Sequence, residues 1–208
     1  MARLWLIDAG YLFNARHSVR PGYEFSYLKL RHYLELRGAI WRAYYFNASP
    51  NPPSDAQDSF HRWLRSGPPY GPKIITQIYP LRQQRADKAY CEECGQKVSL
   101  CCQHQEENGP LHRVYNEIQK GVDVGIAFRA LVLAPHYETL VLSSGDADLA
   151  SVLDYLGIQG KRIELAVFRD GVSSELQCLA DHIYWLNDVA EELENIREDE
   201  RVLSFGEV

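Results

Sequence analysis

Four aspartates stand where short apolar segments give way to helical patterns. Asp8 ends the segment RLWLID, Asp123 begins VDVGIAFRALVLA, and Asp146 and Asp148 follow an apolar run in VLSSGDADLAS. Carboxylates gathered without a cation repel each other and raise each other's pKa, and a hard divalent cation removes that repulsion. Oxygen ligands favour Mg²⁺ or Mn²⁺, which keep coordination positions for water and phosphate. We therefore expect Asp8, Asp123, Asp146 and Asp148 to form an acidic metal site.

Each of these aspartates also has a simpler explanation. A carboxylate near a helix N-terminus accepts hydrogen bonds from free backbone N–H groups and interacts favourably with the helix dipole. Asp146 and Asp148 are two residues apart, so on a regular helix their side chains would point to different sides. They reach one pocket only if Asp146 lies in the turn between strand and helix. The hypothesis of a site therefore depends on the combination of the positions.

Cysteine and histidine are concentrated in the segment CEECGQKVSLCCQHQEENGPLH. The spacing C-x2-C-x6-C-x2-H is typical of a closed, structural Zn²⁺ site, and a segment with so few apolar residues gains stability from bound metal. The predicted zinc ligands are Cys91, Cys94, Cys101 and His104. Cys102 and His112 are alternative ligands, and free thiols in a loop are the alternative to metal binding. Clustered cysteines favour metal binding in a reducing compartment over a disulfide framework.

Strand-like and helix-like segments alternate along the chain. Short apolar runs typical of strands cover residues 3–8, 39–47, 73–80, 138–144, 162–168 and 182–188. Helical patterns cover residues 25–36, 54–65, 122–134, 146–157 and 173–181. This alternation predicts an α/β fold in which helices cover both faces of a mainly parallel sheet.

One long segment interrupts the alternation. Residues 82–119 contain the cysteine cluster and are interpreted as a small zinc-binding insert in a domain that spans residues 1–188. Residues 189–208 are rich in charge and predict a C-terminal helix or tail. A length of 208 residues is typical of one domain with a substantial core.

Charge and hydropathy exclude some classes of protein. The net charge of -6 argues against a non-specific nucleic-acid binder, which is usually basic. It does not exclude a nuclease, because bound metal ions invert the charge of a carboxylate pocket. No apolar run is long enough to cross a bilayer, and MARLWLID lacks the features of a secretory signal. We therefore expect a cytoplasmic protein without a membrane partner.

Several motifs, taken in order, resemble a known family. LIDAGYLFN is similar to the opening aspartate motif of the NYN domains, and QKGVDVGIAFRAL followed by LSSGDADLASVLDYLGIQGKRIELA closely resembles the later motifs of their LabA-like branch. NYN domains belong to the PIN-like nuclease superfamily. The resemblance implies a three-layer α/β/α, PIN-like (Rossmann-like) fold and metal-dependent cleavage of RNA. It also implies that Asp8, Asp123, Asp146 and Asp148 form the catalytic and metal-binding site.

Some positions depart from the pattern of the family. Asn14 corresponds to the amide near the first aspartate, although the spacing in DAGYLFN is longer than usual. Ala147 and Leu149 replace the serine and phenylalanine common in SGDSDF. Arg129 occupies a helical position where relatives often carry another aspartate, and an arginine there can pair with a carboxylate or with a phosphate.

Basic and aromatic residues near these motifs are candidates for contacts with nucleic acid. The predicted substrate-binding residues are Asn14, Arg16, Arg82, Arg85 and Lys120, with His17, Arg20 and Lys88 close by in sequence. The aromatic residues Tyr11, Phe13 and Tyr90 are candidates for stacking on exposed bases, the usual mode of single-strand recognition, and core packing is the alternative for Phe13. The expected partner is RNA, with single-stranded DNA as a second choice.

Three functions compete at this stage. The first is a metal-dependent ribonuclease, with metal-activated water as the nucleophile. The second is a catalytically weakened nucleic-acid-binding or regulatory module in which Arg129 neutralises the acidic pocket. The third is a nucleotide-cofactor enzyme, which is disfavoured because the chain lacks G-x-G-x-x-G after its first strand and lacks G-x-x-x-x-G-K-[ST]. The sequence leaves open the preference for RNA over DNA, endo- or exonucleolytic cleavage, sequence specificity and homo-oligomerisation.

Overall fold

The computed structural model describes residues 2–86, 88–100, 102 and 112–195. Its strands are β1 (Arg3–Asp8), β2 (Ile40–Ser49), β3 (Ile75–Pro80), β4 (Arg82–Arg85), β5 (Lys88–Tyr90), β6 (Lys97–Ser99), β7 (Tyr115–Ile118), β8 (Thr139–Ser143), β9 (Arg162–Val167) and β10 (His182–Trp185). Its α-helices are α1 (Ala9–Ala15), α2 (Tyr27–Glu35), α3 (Asp55–Arg65), α4 (Val122–Leu133), α5 (Ala150–Ile158), α6 (Ser174–Leu179) and α7 (Ala190–Leu193).

The central sheet has six parallel strands in the order β10-β9-β8-β1-β2-β3. The chain first builds β1, β2 and β3 in one direction, then returns to the other side of β1 and continues through β8, β9 and β10. The order therefore reverses between β1 and β8. In open α/β sheets, ligands bind beyond the carboxyl ends of the strands at such a point.

Two apolar cores lie on the two faces of the sheet. On one face, Trp5 and Ile7 pack with residues of α1, α2, α3 and α7. On the other face, Leu4 and Leu6 pack with residues of α4, α5 and α6. All six residues of β1 are buried, as expected for a parallel strand covered on both faces. The prediction of a mainly parallel α/β/α fold is confirmed.

Polar side chains fix several helix starts. Ser54 begins α3 with a capping box, in which its hydroxyl accepts from the Gln57 N–H and the Gln57 side chain accepts from the Ser54 N–H. Ser26 and Ser173 cap α2 and α6 in the same way, through the backbone N–H three residues later. Each cap satisfies a backbone donor that has no partner within the helix.

The observed helices differ from the predicted ones after the first and fourth predicted strands and in the C-terminal segment. Residues 9–15, to which no element was assigned, form α1, because Asp8 caps the helix and Leu12 and Ala15 face the core. The helix predicted over 146–157 begins at Ala150, after a 3-10 turn over Ala147–Leu149. Of the predicted C-terminal helix or tail, Ala190–Leu193 is helical, and residues 196–208 lie outside the described residues.

A buried ion pair joins the sheet to α2 at the amino end of β1. The Arg3 guanidinium, which is 3% exposed, donates to the Glu164 carboxylate at 2.5 Å and to the carbonyls of Leu34 and Gly38. The Tyr184 hydroxyl donates to the same carboxylate at 3.0 Å. The charges are therefore paired, as burial requires.

The segment that interrupts the alternation, residues 82–119, forms two small antiparallel strand pairs in its described part. β4 pairs with β7, with Arg82 opposite Ile118 and Arg85 opposite Tyr115. β5 pairs with β6, with Tyr90 opposite Lys97. β4 begins two residues after β3 ends, so this segment starts at the carboxyl edge of the central sheet. In the described part of the chain, no helix is long and apolar enough to cross a bilayer.

Candidate active site

Asp8 ends β1 at the point where the strand order reverses, and its carboxylate is held by two neighbours. Oδ1 accepts from the Tyr11 backbone N–H at 3.1 Å, which makes Asp8 the N-cap of α1. Oδ2 accepts from the Ser144 hydroxyl at 3.0 Å. Burial raises the pKa of Asp8, the hydrogen bonds from Tyr11 and Ser144 oppose that shift, and the charge of Asp123 adds to it. The side chain is therefore both oriented and desolvated.

The loop after β8 connects this carboxylate to the next ones. Ser144 is completely buried, and its hydroxyl also accepts from the Asp146 backbone N–H at 3.3 Å. Asp146 has an extended backbone and lies before the 3-10 turn, where its Oδ1 accepts from the Asp148 N–H at 2.9 Å. The condition that Asp146 lies in the turn rather than in the helix is therefore met, and Ser144 links it to Asp8.

Asp123 approaches from the first turn of α4. This helix begins after Gly121, whose φ of 91° is favoured by glycine. Burial raises the pKa of Asp123, and the charges of Asp146 and then Asp148 raise it further. Because Asp123 in turn raises the pKa of Asp8, the predicted acidic residues act on each other electrostatically although they are far apart in sequence.

The donor chemistry of this group fits a hard divalent cation that keeps part of its water shell. Across residues 2–86, 88–100, 102 and 112–195, no three His, Cys, Asp or Glu side chains are close enough to bind one ion directly. Mg²⁺ is commonly bound through one or two carboxylates, with water filling the other positions. Mutual repulsion of ionised carboxylates is the cost that a cation would relieve. The fit therefore rests on oxygen donors and shared charge, not on a closed cage.

Two residues beside the carboxylates were missed by the sequence reasoning. Ser144 was missed, although the pair of serines before GD was a signal, since a hydroxyl at a strand end can orient a carboxylate. Gln119 was missed as well, and no motif marks it. A Cβ placed on Gly10 would lie 3.4 Å from Asp8 Oδ1 and 3.6 Å from Gln119 Oε1. The Gln119 amide therefore borders the same space as the Asp8 carboxylate.

The predicted substrate-binding residues are found in two places. Asn14 and Arg16 line a cavity that begins at Ala9 and Gly10, next to Asp8, and the Arg16 guanidinium lies 3.7 Å above the Phe13 ring. The others are on or near the antiparallel ribbon of β4 and β7, which begins at the carboxyl edge of the central sheet. Arg82, Arg85 and Lys120 are exposed there.

Among the aromatic candidates, Tyr11 has a structural contact. Its hydroxyl donates to the Phe168 carbonyl at 2.7 Å, and its ring lies against the loop positions Gly145 and Gly171. The Tyr11 ring thus packs between two loops at the sheet edge. Phe13 is 59% exposed and Tyr90 is 71% exposed, so both remain accessible to a base.

Arg129 does not neutralise the carboxylates. Its guanidinium lies over the Tyr44 ring, 4.7 Å from the centroid. Within the part of the chain that the structure describes, its Nε has no hydrogen-bond partner and no acidic side chain pairs with it.

The described part of the cysteine segment contains a turn suited to thiolate ligands. Backbone N–H groups of Cys94 and Glu93 and the Cys94 side chain lower the pKa of the Cys91 thiol, with the Cys94 N–H first among these causes. Gly95 closes the turn through its N–H to the Cys91 carbonyl. The other predicted zinc ligands, Cys101 and His104, lie outside the described residues. The alternative pair is in contact, with His112 Nδ1 3.4 Å from Cys102 Sγ.

Comparisons with solved structures concern the fold. The chain is similar to a solved protein of unknown function, VPA0982 of Vibrio parahaemolyticus RIMD 2210633, with a TM-score of 0.65, 17% identity and coverage of 93% of this chain and 96% of the other. A solved structure reported as "Structural Basis for the Mechanism and Regulation of Sir2 Enzymes" aligns with a TM-score of 0.41 and 10% identity over 98% of this chain and 93% of the other, which is too low to support an argument. The first likeness supports the fold alone.

No curated protein matches the chain. A sequence model of the NYN domain, however, matches residues 5–187. This match includes β1 from Trp5 onward, the loop after β8 and all four aspartates of the predicted acidic site. The chain therefore belongs to the NYN domain family, within the PIN-like nuclease superfamily.

Proposed function

We propose that this protein is a metal-dependent ribonuclease of the LabA-like branch, which hydrolyses phosphodiester bonds in single-stranded RNA. The observation that supports the proposal best is the position of Asp8 at the reversal of strand order, where burial and the charges of neighbouring aspartates raise the pKa values of Asp8 and Asp123. Carboxylates with perturbed pKa values at a cleft are typical of functional sites, and a structural role alone gives no reason to collect them. Membership of the NYN family supports the same chemistry.

In this proposal, one or two of the Asp8, Asp123 and Asp146 carboxylates would bind Mg²⁺ or Mn²⁺ directly and the others through its water shell, and Asp148 adds negative charge beside them. A divalent ion bound there lowers the pKa of a water molecule and stabilises negative charge on the phosphoryl and leaving oxygens. The chain supplies the orientation. Ser144 holds the Asp8 carboxylate and the Asp146 backbone at the same time, so that both acidic groups keep a fixed relation to a bound phosphate.

Positive side chains contribute the rest of the substrate binding. Arg16 lies beside the acidic edge, and Arg82 and Lys120 are exposed at the start of the ribbon. Contacts of arginine and lysine with phosphates position a nucleic acid without reading its sequence. They also offset the negative charge of the protein along the path of the strand. We expect single strands because exposed aromatic rings, which can stack on unpaired bases, accompany the site.

We further propose that Cys91, Cys94, Cys101 and His104 hold a structural Zn²⁺ that stiffens the insert. The turn at Cys91 supports this, because N–H groups that lower the pKa of a thiol favour the thiolate form that binds metal. With every position filled by protein, such an ion would have no role in cleavage.

A cleavage assay with matched variants tests the ribonuclease. Labelled RNA and DNA are incubated with wild type in Mn²⁺, in Mg²⁺ and in EDTA, and with Asp146→Asn and Asp154→Asn in Mn²⁺. Asparagine at position 146 keeps the acceptor for the Asp148 N–H but loses the charge, and Asp154 is an exposed residue of α5 outside the site. We expect RNA cleavage by wild type and by Asp154→Asn only. Cleavage that survives in Asp146→Asn or in EDTA would remove the proposal.

The competing interpretation is a nucleic-acid-binding module without activity. It required Arg129 to neutralise the acidic group, and the position of Arg129 over Tyr44 argues against that. RNA binding by wild type without cleavage under any metal condition would nevertheless favour the module.

A further inference from the structure

A large cavity of about 910 Å³ opens beside the acidic site. Its walls come from α1, the start of α2, the end of β2 and α3. Ala9 and Gly10, the two residues after Asp8, form part of the wall. The cavity therefore reaches the residues that directly follow Asp8 in the chain. Burial raises the pKa values of two cavity residues, Tyr27 and Tyr45, and the charge of Asp8 adds to both shifts.

Flat aromatic surfaces dominate the cavity wall. The Phe60 ring is stacked with the Trp63 ring at 5.8 Å and 29°, and it meets the rings of Tyr27 and Tyr45 at 6.0 Å each. Phe60 and Trp63 are only partly buried, so part of their surface faces the cavity. Such a wall suits a planar ring, because base–aromatic stacking is favourable for every nucleobase.

Polar side chains also line this cavity. Tyr27 is 8% exposed and lines the cavity, where its hydroxyl is a hydrogen-bond donor. Arg16 also lines the cavity, and its buried Nε has no partner within the described chain. A buried donor without an acceptor is costly, and native structures seldom retain one without a reason. The exposed Asn14 amide lies at the rim.

We infer that this cavity binds one unpaired base of the RNA, with the adjoining phosphodiester placed at the carboxylates. The inference rests on the proposed function. A nucleobase offers a planar ring for Phe60 and Trp63, and its carbonyl and ring-nitrogen acceptors match the donors of Tyr27 and Arg16. In a duplex the base is stacked and its pairing edge is occupied, so the cavity selects unpaired nucleotides. It would thereby decide which phosphodiester bonds are cut.

The test measures binding without cleavage, in EDTA. Fluorescence anisotropy gives the affinity of a short fluorescein-labelled single-stranded RNA, and of an abasic strand with the same sugar-phosphate backbone. We expect the abasic strand to bind about 5-fold to 150-fold more weakly, which is the equivalent of roughly 1–3 kcal/mol for one stacked base. Equal affinity of the two strands would overturn the inference, because both carry the same phosphates.

Variants locate the base. Phe60→Leu keeps an apolar side chain but removes the aromatic face, so it should weaken binding of the intact RNA and leave the abasic strand unaffected. Phe128→Ala removes an exposed aromatic ring of α4 outside the cavity and should change neither affinity. Equal loss for both strands in Phe60→Leu would place the base elsewhere. Quenching of Trp63 fluorescence by intact RNA, absent in Trp63→Phe, gives a second readout that does not depend on Phe60.

The two proposals can fail separately. A protein that passes these binding tests but never cleaves RNA in Mn²⁺ contradicts the ribonuclease only. A protein that cleaves RNA but binds both strands equally contradicts the cavity only.

Discussion

Gly145 lies in the loop after β8, and a single added methyl group at this residue would displace the loop. A Cβ at this position would lie 1.9 Å from the Gly171 carbonyl oxygen and 2.6 Å from Tyr11 Cε2. The Gly145 carbonyl also accepts from the Ser173 N–H at 3.0 Å. The loops that follow β8 and β9 therefore touch backbone to backbone, and Asp146 is the next residue after the contact.

The substitution Gly145→Ala forces these loops apart. Real Cβ atoms keep at least 3.0 Å from such atoms, so the Gly171 carbonyl or the loop with Asp146 must move by about 1.1 Å. Overpacking of this kind costs about 1–3 kcal/mol. For a chain of this length, that lowers Tm by roughly 2–12 °C. A shift of about 1 Å in a positioning residue can cost on the order of 100-fold in rate, which is the loss of cleavage that we expect.

Thermal unfolding by circular dichroism and single-turnover cleavage of labelled RNA in Mn²⁺ measure the two effects. Gly157→Ala is the matched control, because nothing lies within 4 Å of a Cβ at that position in α5. It should keep full activity and gain up to about 1 kcal/mol from helix propensity. A Gly145→Ala variant with wild-type Tm would refute the close contact. A destabilised variant with undiminished cleavage would refute the role of this loop in positioning Asp146.

Three further predictions concern charge and metal. Burial raises the folded-state pKa of Asp8 above its unfolded value, so without divalent ions wild type loses stability as pH rises from the unfolded to the folded pKa. Asp8→Asn should therefore be more stable than wild type at neutral pH in EDTA. Thermal melts at falling pH should show the difference in Tm between the two proteins closing. Arg3→Met leaves the buried Glu164 carboxylate with only Arg162 and the Tyr184 hydroxyl as partners and should cost up to about 3–5 kcal/mol in urea unfolding. Arg3→Met with Glu164→Gln should recover part of that loss, and no recovery would contradict a pairwise origin. The double variant Cys91→Ser, Cys94→Ser should lose the zinc that elemental analysis finds in dialysed wild type, and unchanged zinc would refute these ligands.

Local patterns were sufficient for most of the fold. Apolar runs such as RLWLID and ETLVLSS predicted strands, since a strand buried on both faces must be apolar throughout. The alternation of strands with helical segments predicted a parallel sheet, because parallel strands are joined by helical crossovers. The 3-10 turn before α5 was not predicted, because its three residues fit a helical pattern equally well and the Asp146 cap determines where regular helix begins.

Only part of the candidate site could be predicted from the sequence. Asp8, Asp123, Asp146 and Asp148 were predicted as site residues because aspartates at strand ends and helix starts leave a recognisable pattern. Ser144 was not, since a serine between a strand and GD is compatible with many roles until its hydroxyl is seen to bridge two acidic residues. Arg129 could equally have paired with a carboxylate, and its place over Tyr44 depends on how α4 packs on β2.

By itself, the sequence determined the class of fold, the family and the acidic residues, because each is encoded in contiguous segments whose chemistry is local. Tertiary structure alone decided that β1 lies between β2 and β8, that Ser144 joins the Asp8 carboxylate to the Asp146 backbone, and that aromatic rings of β2 and α3 form a cavity beside the acidic edge. These contacts join residues from tens to more than a hundred positions apart, and the packing of the two cores, not any spacing along the chain, brings them together.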